Sequence, residues 1–372
     1  MIRALAAVTA IAATLVVTPQ AQASVRITRL PALSGDYRAS ARVVNDDGAI
    51  LGTNSPVNTG QQHAVLWKGT TPVDLGTGSG VDLNRNGKAL ISEYVGSAGR
   101  YLNRVRVWSQ GSVTELTPPG GTFVTASALN GGGTVPLAYA TDPTNYQPDK
   151  AGVWRDGGFA PSGAVAQGPD VVHSVVNDGG VTAGYRVPKT GDSYAFRCDA
   201  TCVRLPGVAG PGTYTAVAIN ESGVVVGTLQ NGLQSQALRW DGNTLTVLPG
   251  GPAALPYNRQ AVNERGDVVG YRLLPDGTRK AALWRDGRLV DLGTSGESVA
   301  EAVNDLGEVV GWQTKADGNQ VAYLWRNGTL VDLGSVDGRS SAPTALNNTG
   351  TVIGWSTTPE EYFQAVKWTV RG

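Results

Sequence analysis

An aliphatic residue followed by Asn-x-x-Gly, and about twenty residues later by an aromatic that is Trp in all but one case, recurs eight times along this 372-residue chain. The Asn positions are Asn45, Asn84, Asn130, Asn177, Asn220, Asn263, Asn304 and Asn347, in steps of 39, 46, 47, 43, 43, 41 and 43 residues. A period in the forties points to a propeller or a solenoid before any other architecture. In the fifth copy, Thr215 to Ile219 reads as a strand and Asn220-Glu221-Ser222-Gly223 as a tight turn. Val224 to Gly227, Gln236 to Trp240 and Leu245 to Leu248 supply three more strands. Four short antiparallel strands per copy describe a propeller blade.

The chain ends favour a ring. Arg26 to Pro31 matches the fourth strand of a copy, and Leu30 stands 15 residues before Asn45 as Leu248 does before Asn263. The eighth copy stops at Gly372 without a fourth strand. The expected fold is therefore all-β, an eight-bladed propeller of four-stranded antiparallel blades in which the N-terminal strand completes the last one. Closure of that kind protects edges that a solenoid must cap otherwise. Seven blades is the competing count, because the fourth copy carries Tyr194-Ala195-Phe196-Arg197-Cys198 where a Trp is expected. Small residues near each Asn, such as Ala216 and Ala218, place the first strand innermost, and Trp67, Trp108, Trp154, Trp240, Trp284, Trp325 and Trp368 are expected in the core of the third strands.

Residues 1–23 read as a secretory leader: Met-Ile-Arg, an apolar run from Ala4 to Val17, and Ala21-Gln22-Ala23 before Ser24. One propeller domain then occupies residues 24–372. The run is short for a membrane span, and 30 basic against 30 acidic residues without long runs of one sign argue against a nucleic-acid partner. The expectation is a secreted, extracellular monomer. Cys198 and Cys202 are expected to form a disulfide across a hairpin turn. No metal and no cofactor is expected, since the two histidines, His63 and His173, fall in different copies.

The block aliphatic-Asn-x-x-Gly-x-Val-Val-Gly, Ala-x-Leu-Trp-x-x-Gly and Leu-x-Asp-Leu-Gly stands here as Val303 to Gly311, Ala322 to Gly328 and Leu330 to Gly334. It resembles the bacterial extracellular HAF repeat family, and the likeness covers nearly all of residues 24–372. The resemblance implies a secreted β-repeat protein and carries no catalytic residues. The His-Ala-Phe tripeptide is matched only in part, by His63-Ala64-Val65 and by Ala195-Phe196.

Loops joining the second strand to the third, and each copy to the next, vary most between copies and should share one face, which is where sites are usually built. Two residue sets mark it as a candidate. Aromatics at the end of the second strand, Tyr185, Tyr271, Trp312 and Trp355 with Tyr139 nearby, suit stacking on a ligand or packing on the next blade. Polar residues of the inner strand, Arg42, Asp82, His173, Arg259 and Glu301, could line a pocket, or form structural pairs such as Arg42 with Asp82. Tyr214 and Tyr257 lie toward the loop end of the same strand. The functional expectation is a non-catalytic module engaging an extracellular glycan or protein. The alternative is a carbohydrate-active hydrolase or lyase at the channel mouth, for which Asp82 and Glu301 are the nameable carboxylate pair.

Overall fold

The computed structural model describes residues 24–34, 37–58, 60–96, 100, 102–188, 193–359 and 363–371, so the leader read at residues 1–23 lies outside it. The described chain is all-β: 32 strands, two single-turn 3-10 segments and no α-helix. Six sheets have four strands each, and a seventh of eight strands joins the second and third copies through one parallel contact, Phe123 with Asn103.

The fifth copy shows why the repeat folds this way. Its strands are Thr213–Ile219, Val225–Asn231, Gln234–Asp241 and Thr244–Val247, paired in that order. The second and third strands run further toward the variable side than the sequence indicated, to a tight hairpin at residues 232–233. In the turn after the first strand, Asn220 Oδ1 accepts the Val224 N–H at 2.9 Å and the Ser222 hydroxyl at 2.9 Å. Gly223 closes it at φ +82°, a conformation that carries little cost only for glycine. The corresponding glycine of every copy lies between φ +74° and +95°.

The inner strand carries a second shared device. Where the first strand pairs with the second, the register slips by one residue between Ala41 and Val43, Gly80 and Asp82, His173 and Val175, Ala216 and Ala218, Ala300 and Ala302, and Pro343 and Ala345. Each slip is a β-bulge that leaves one residue unpaired, always the third before the Asn: Arg42, Val81, Ser174, Val217, Glu301 and Thr344. The bulge drives the inner strand against its neighbour. A Cβ on Gly227 would stand 1.8 Å from Thr215 O, and one on Gly311 2.1 Å from Val299 O. That close approach is why Val-Val is followed by Gly in these copies.

Copy four, expected to be the irregular one, is complete: Val171–Val176, Thr182–Arg186, Tyr194–Cys198 and Cys202–Arg204 form one sheet. Cys198 takes the register position of Trp, opposite Thr182 as Trp240 is opposite Val225, and Phe196, two residues earlier in the strand, is fully buried. Cys198 and Cys202, directly opposite across the hairpin, are disulfide-bonded. The irregular copies are the third and sixth. In the third, Leu137 occupies the glycine position, and the inner strand shrinks to Phe123–Thr125 with no bulge. In the sixth, Pro252 and Pro256 bracket a two-residue strand, Ala253–Ala254, because proline has no N–H for a ladder. The chain then makes a 3-10 turn, Arg259–Ala261, capped by Asn258, whose Oδ1 accepts the Gln260 N–H.

The core lies between sheets. Trp67, Trp240, Trp284, Trp325 and Trp368 are buried, whereas Trp108 and Trp154 are half-buried. Trp67, Trp240 and Trp284 each donate Nε1–H to the carbonyl of Pro31, Pro206 or Pro249 at 2.7–2.8 Å, which fixes the exit of the preceding fourth strand. The N-terminal strand is Ser24–Arg29, two residues earlier than the sequence indicated. It pairs antiparallel with Phe363–Arg371, from Ser24 opposite Arg371 to Arg29 opposite Val366. Pro31 has already left that sheet, since its carbonyl is taken by Trp67.

Each repeat Asn also reaches its neighbour. While Oδ1 closes its own turn, Nδ2–H donates to the backbone carbonyl of the next repeat Asn: Asn45 to Asn84 at 3.3 Å, Asn84 to Asn130 at 2.9 Å, Asn130 to Asn177 at 2.9 Å and Asn177 to Asn220 at 3.1 Å. Asn220 continues to Asn263 at 3.1 Å, Asn263 to Asn304 at 2.9 Å, Asn304 to Asn347 at 3.1 Å, and Asn347 returns to Asn45 at 2.9 Å. All eight side chains are buried.

Candidate functional site

The bulged residues and their flanks surround a central channel, divided into two cavities. The cavity of about 430 Å³ opens among the Asn turns. The one of about 540 Å³ opens on the side of the variable loops. Arg259 stands between them. Its guanidinium crosses from the sixth copy to the second, 3.1 Å from a carboxylate oxygen of Asp82, and donates to Leu83 O at 3.2 Å. Neighbours on its 3-10 turn cross as well: Asn258 Nδ2 donates to Thr344 O at 2.9 Å, and Gln260 exchanges hydrogen bonds with the Leu346 backbone. The sixth copy thus keeps only a two-residue inner strand and spans the channel with the turn that follows.

Asp82 is 1% exposed. It is held by the Leu129 N–H at 2.8 Å and by Arg259, so the pairing of Arg42 with Asp82 considered from the sequence does not form. Arg42 Nε instead donates to Val81 O at 3.0 Å, and its outer nitrogens have no other partner among the described residues. Glu301 faces the same cavity. One carboxylate oxygen accepts the Trp312 Nε1–H at 3.0 Å, and the other has no hydrogen bond among the described residues. Burial pushes its pKa up, opposed by the Trp312 hydrogen bond and by Arg279. Arg279 lies over the Trp312 ring at 5.0 Å and is tied to Glu297 at 2.6 Å.

Seven of the ten candidate residues therefore line one cavity: Arg42, Asp82, Tyr185, Arg259, Glu301, Trp312 and Trp355. Tyr257, 81% exposed, stands at its mouth, and its proximity adds to the burial that pushes the Tyr185 hydroxyl pKa up. The other three do not line it. Tyr139 is one residue out of phase with the other aromatics, and strand alternation turns it into the core, edge-on to Phe159 at 5.5 Å. Tyr271 packs beside Val299, Trp312 and Ala342. His173 is buried against Phe196; Gly152 O can only accept, so Nδ1 carries the proton and donates at 3.2 Å, while Nε2 accepts the Thr182 hydroxyl at 2.6 Å. Burial lowers its pKa to about 4. Tyr214 is also a core residue, its hydroxyl taken up by the Val208 backbone.

Sequence reading missed a second feature, around the opposite mouth. The residue after each repeat Asn is often acidic, and its carboxylate accepts a backbone N–H from the preceding copy: Glu221 from Asp178, Glu264 from Glu221, Asp305 from Glu264, Asp46 from Asn348. Arg85 pairs with Asp178 at 2.7 Å. Burial and then the neighbouring carboxylates, set against the Glu221 N–H, push the Glu264 pKa up. The signal was legible in the Asp, Glu or Asn that follows the Asn in six copies. Among the described residues no group of three or more His, Cys, Asp or Glu side chains is placed to hold a metal, and no helix is long and apolar enough to cross a membrane.

No protein-family model matches the sequence, and no curated protein matches it. Solved structures do. The chain is similar to the β-propeller domain of the trilobed protease from Pyrococcus furiosus at 9% identity and a TM-score of 0.51, over 81% of this chain and 97% of that one. It is similar to a prolyl endopeptidase at 11% identity and a TM-score of 0.52, and to prolyl oligopeptidase B from Galerina marginata at 12% and 0.50. Each of these two matches covers 90% of this chain and 55% of the other, so the chain spans about half the length of those peptidases. At such identity the likeness establishes a β-propeller fold. The expectation of a non-catalytic module engaging a glycan or protein, with its carbohydrate-hydrolase alternative, is corrected by these comparisons, in which the similar folds are those of peptidases. The geometry agrees in one respect: Trp312 is buried with its N–H spent on Glu301, and Trp355 meets Phe363 edge-on at 4.7 Å, so the two do not form an open stacking platform.

Proposed function

We propose that this chain has a peptidase-like role as an eight-bladed propeller that receives short peptides in the cavity above Arg259. The carrying observation is that cavity itself. It is walled by the bulged layer of the inner strands, floored by the Arg259–Asp82 pair, and rimmed by Tyr185, Tyr257, Trp312 and Trp355. Its size, about 540 Å³, suits a short peptide rather than a folded domain. Ring closure by the N-terminal strand is part of the proposal, supported by the pairing of Ser24–Arg29 with the last strand and by the Asn347 to Asn45 hydrogen bond. Export behind the leader at residues 1–23, kinship with extracellular HAF repeat proteins and a monomeric state belong to the same reading. The Cys198–Cys202 disulfide supports the first of these.

Photo-crosslinking tests it. Tripeptides bearing a diazirine side chain, irradiated with the purified protein and mapped by mass spectrometry, should label Tyr257, Trp355 and their neighbours at the cavity rim. Labelling confined to the outer strands, or none above that of a non-peptide diazirine control, would refute the proposal.

A further inference from the structure

The bulged layer decides what kind of peptide the cavity takes, an inference that rests on the peptide reading above. Most members of the layer have no free chemistry. Val81 and Val217 are apolar, Ser174 donates to Ala216 O at 2.9 Å, and Thr344 donates to Ala41 O at 3.1 Å. Deeper in the cavity Asp82 and Arg259 satisfy each other. Two charges are left over, Arg42 and Glu301, and no ion pair joins them. They lie two sheets apart around the channel with Thr344 between, in the order Asn304, Asn347 and Asn45 of the hydrogen-bonded circuit.

Neither has an ion-pair partner among the described residues, and Arg279, the cation nearby that acts on Glu301, is tied to Glu297. The Arg42 side chain is oriented by its Nε–H to Val81 O, which leaves the outer edge of the guanidinium, a fork suited to a carboxylate. Glu301 is oriented by Trp312 and lines the cavity with a second oxygen that has no hydrogen bond among the described residues, in a lining that includes aromatic rings that favour a cation. A bulge exists in each strand to aim these residues inward, where an unbulged strand would keep them in the ladder.

We infer that the cavity selects short peptides with both ends free, Glu301 receiving the terminal ammonium and Arg42 the terminal carboxylate. A zwitterion supplies both countercharges at once, and an internal stretch of a longer chain supplies neither.

Isothermal titration with Ala-Ala-Ala, Ala-Pro-Ala and Ala-Phe-Ala, each uncapped, N-acetylated and C-amidated, tests the inference. Uncapped forms should bind at least tenfold more tightly than either capped form. Glu301→Gln should abolish the penalty for N-acetylation and keep that for amidation, and Arg42→Gln should do the reverse. Both replacements keep a polar side chain at the cavity, and circular dichroism confirms that each variant is folded. Equal binding of capped and uncapped peptides, or variants that lose both penalties together, would overturn the zwitterion assignment and leave the peptide reading standing. Binding of no peptide in any form would overturn both.

Discussion

If the Asn circuit is continuous, Asn347 at the junction of the chain ends is worth as much as Asn220 in the middle of the chain, and replacing each by Asp measures this. The substitution keeps Oδ1, so the turn bonds survive: Thr349 N and Thr351 N to Asn347 at 3.1 and 2.8 Å, and Val224 N to Asn220 at 2.9 Å. It replaces only the Nδ2–H donor, which gives 2.9 Å to Asn45 O in one case and 3.1 Å to Asn263 O in the other, by an oxygen facing a carbonyl. Both Asn residues are buried, at 3% and 2% exposure. Losing a buried hydrogen bond and leaving an ionised carboxylate against a carbonyl should together cost about 3 kcal/mol, or roughly two decades in the folding constant. In equilibrium urea unfolding followed by tryptophan fluorescence, a slope of about 3 kcal/mol/M converts this to a midpoint lowered by about 1 M. Both variants should recover at low pH, as the new carboxyl becomes a donor. A continuous circuit requires the two losses to agree. If Asn220→Asp lost about 3 kcal/mol and Asn347→Asp less than about 1 kcal/mol, the junction would be solvated and the closure argument wrong.

Two further outcomes follow from the packing. His173 has a folded pKa of about 4 against an ordinary value of 6.5, so the neutral form is favoured in the fold. Its contribution is complete above pH 6.5 and is lost as pH falls toward 4, by about 3 kcal/mol. His173→Phe should flatten that part of the stability profile, and an unchanged slope would assign the loss to other groups. Gly227→Ala puts a methyl 1.8 Å from Thr215 O and 3.0 Å from the Trp240 ring. It should destabilise by about 3 kcal/mol or more; a variant within about 0.5 kcal/mol of the parent would mean that the bulge relaxes freely.

Much of the architecture was legible because the repeat encodes local geometry. Asn with Gly three residues later specifies one turn, and the alternation around it specifies the strands. The misjudged copies show where that logic fails. Copy four broke the Trp pattern, with Cys198 at that register position, yet Phe196 is buried two residues earlier in the strand and the sheet forms. Copy six kept the Asn, the Gly and the Trp, yet its inner strand is cut to two residues between Pro252 and Pro256. A motif that governs the turn does not report on the strand before it; the prolines do, through the donor each removes. Period-two counting likewise separates Tyr139, nine residues past its Asn, from Tyr185, Trp312 and Trp355, each eight past theirs. That one-residue offset sends Tyr139 into the core.

The site was legible only as a set of unusual residues, because what aims two of them, Arg42 and Glu301, into the cavity is the bulge. Without it, Arg42, Glu301 and Thr344 would alternate with their neighbours as ordinary strand positions. With it, each of the six bulged copies offers one residue to the channel whose identity is free to differ while the Asn turn stays the same. Its sequence trace is the glycine seven residues after the Asn, Gly52, Gly184, Gly227, Gly311 and Gly354, where the inner strand presses on the second; copy six keeps Gly270 without a bulge. Copy two keeps the bulge with Ile91 at this position, because the small residue has moved to the facing strand as Gly80. Copy three has Leu137 there, no facing glycine and no bulge. The requirement is thus for one glycine at the contact, on either strand. It separates the part of the repeat that builds the scaffold from the single position per copy that gives the cavity its chemistry.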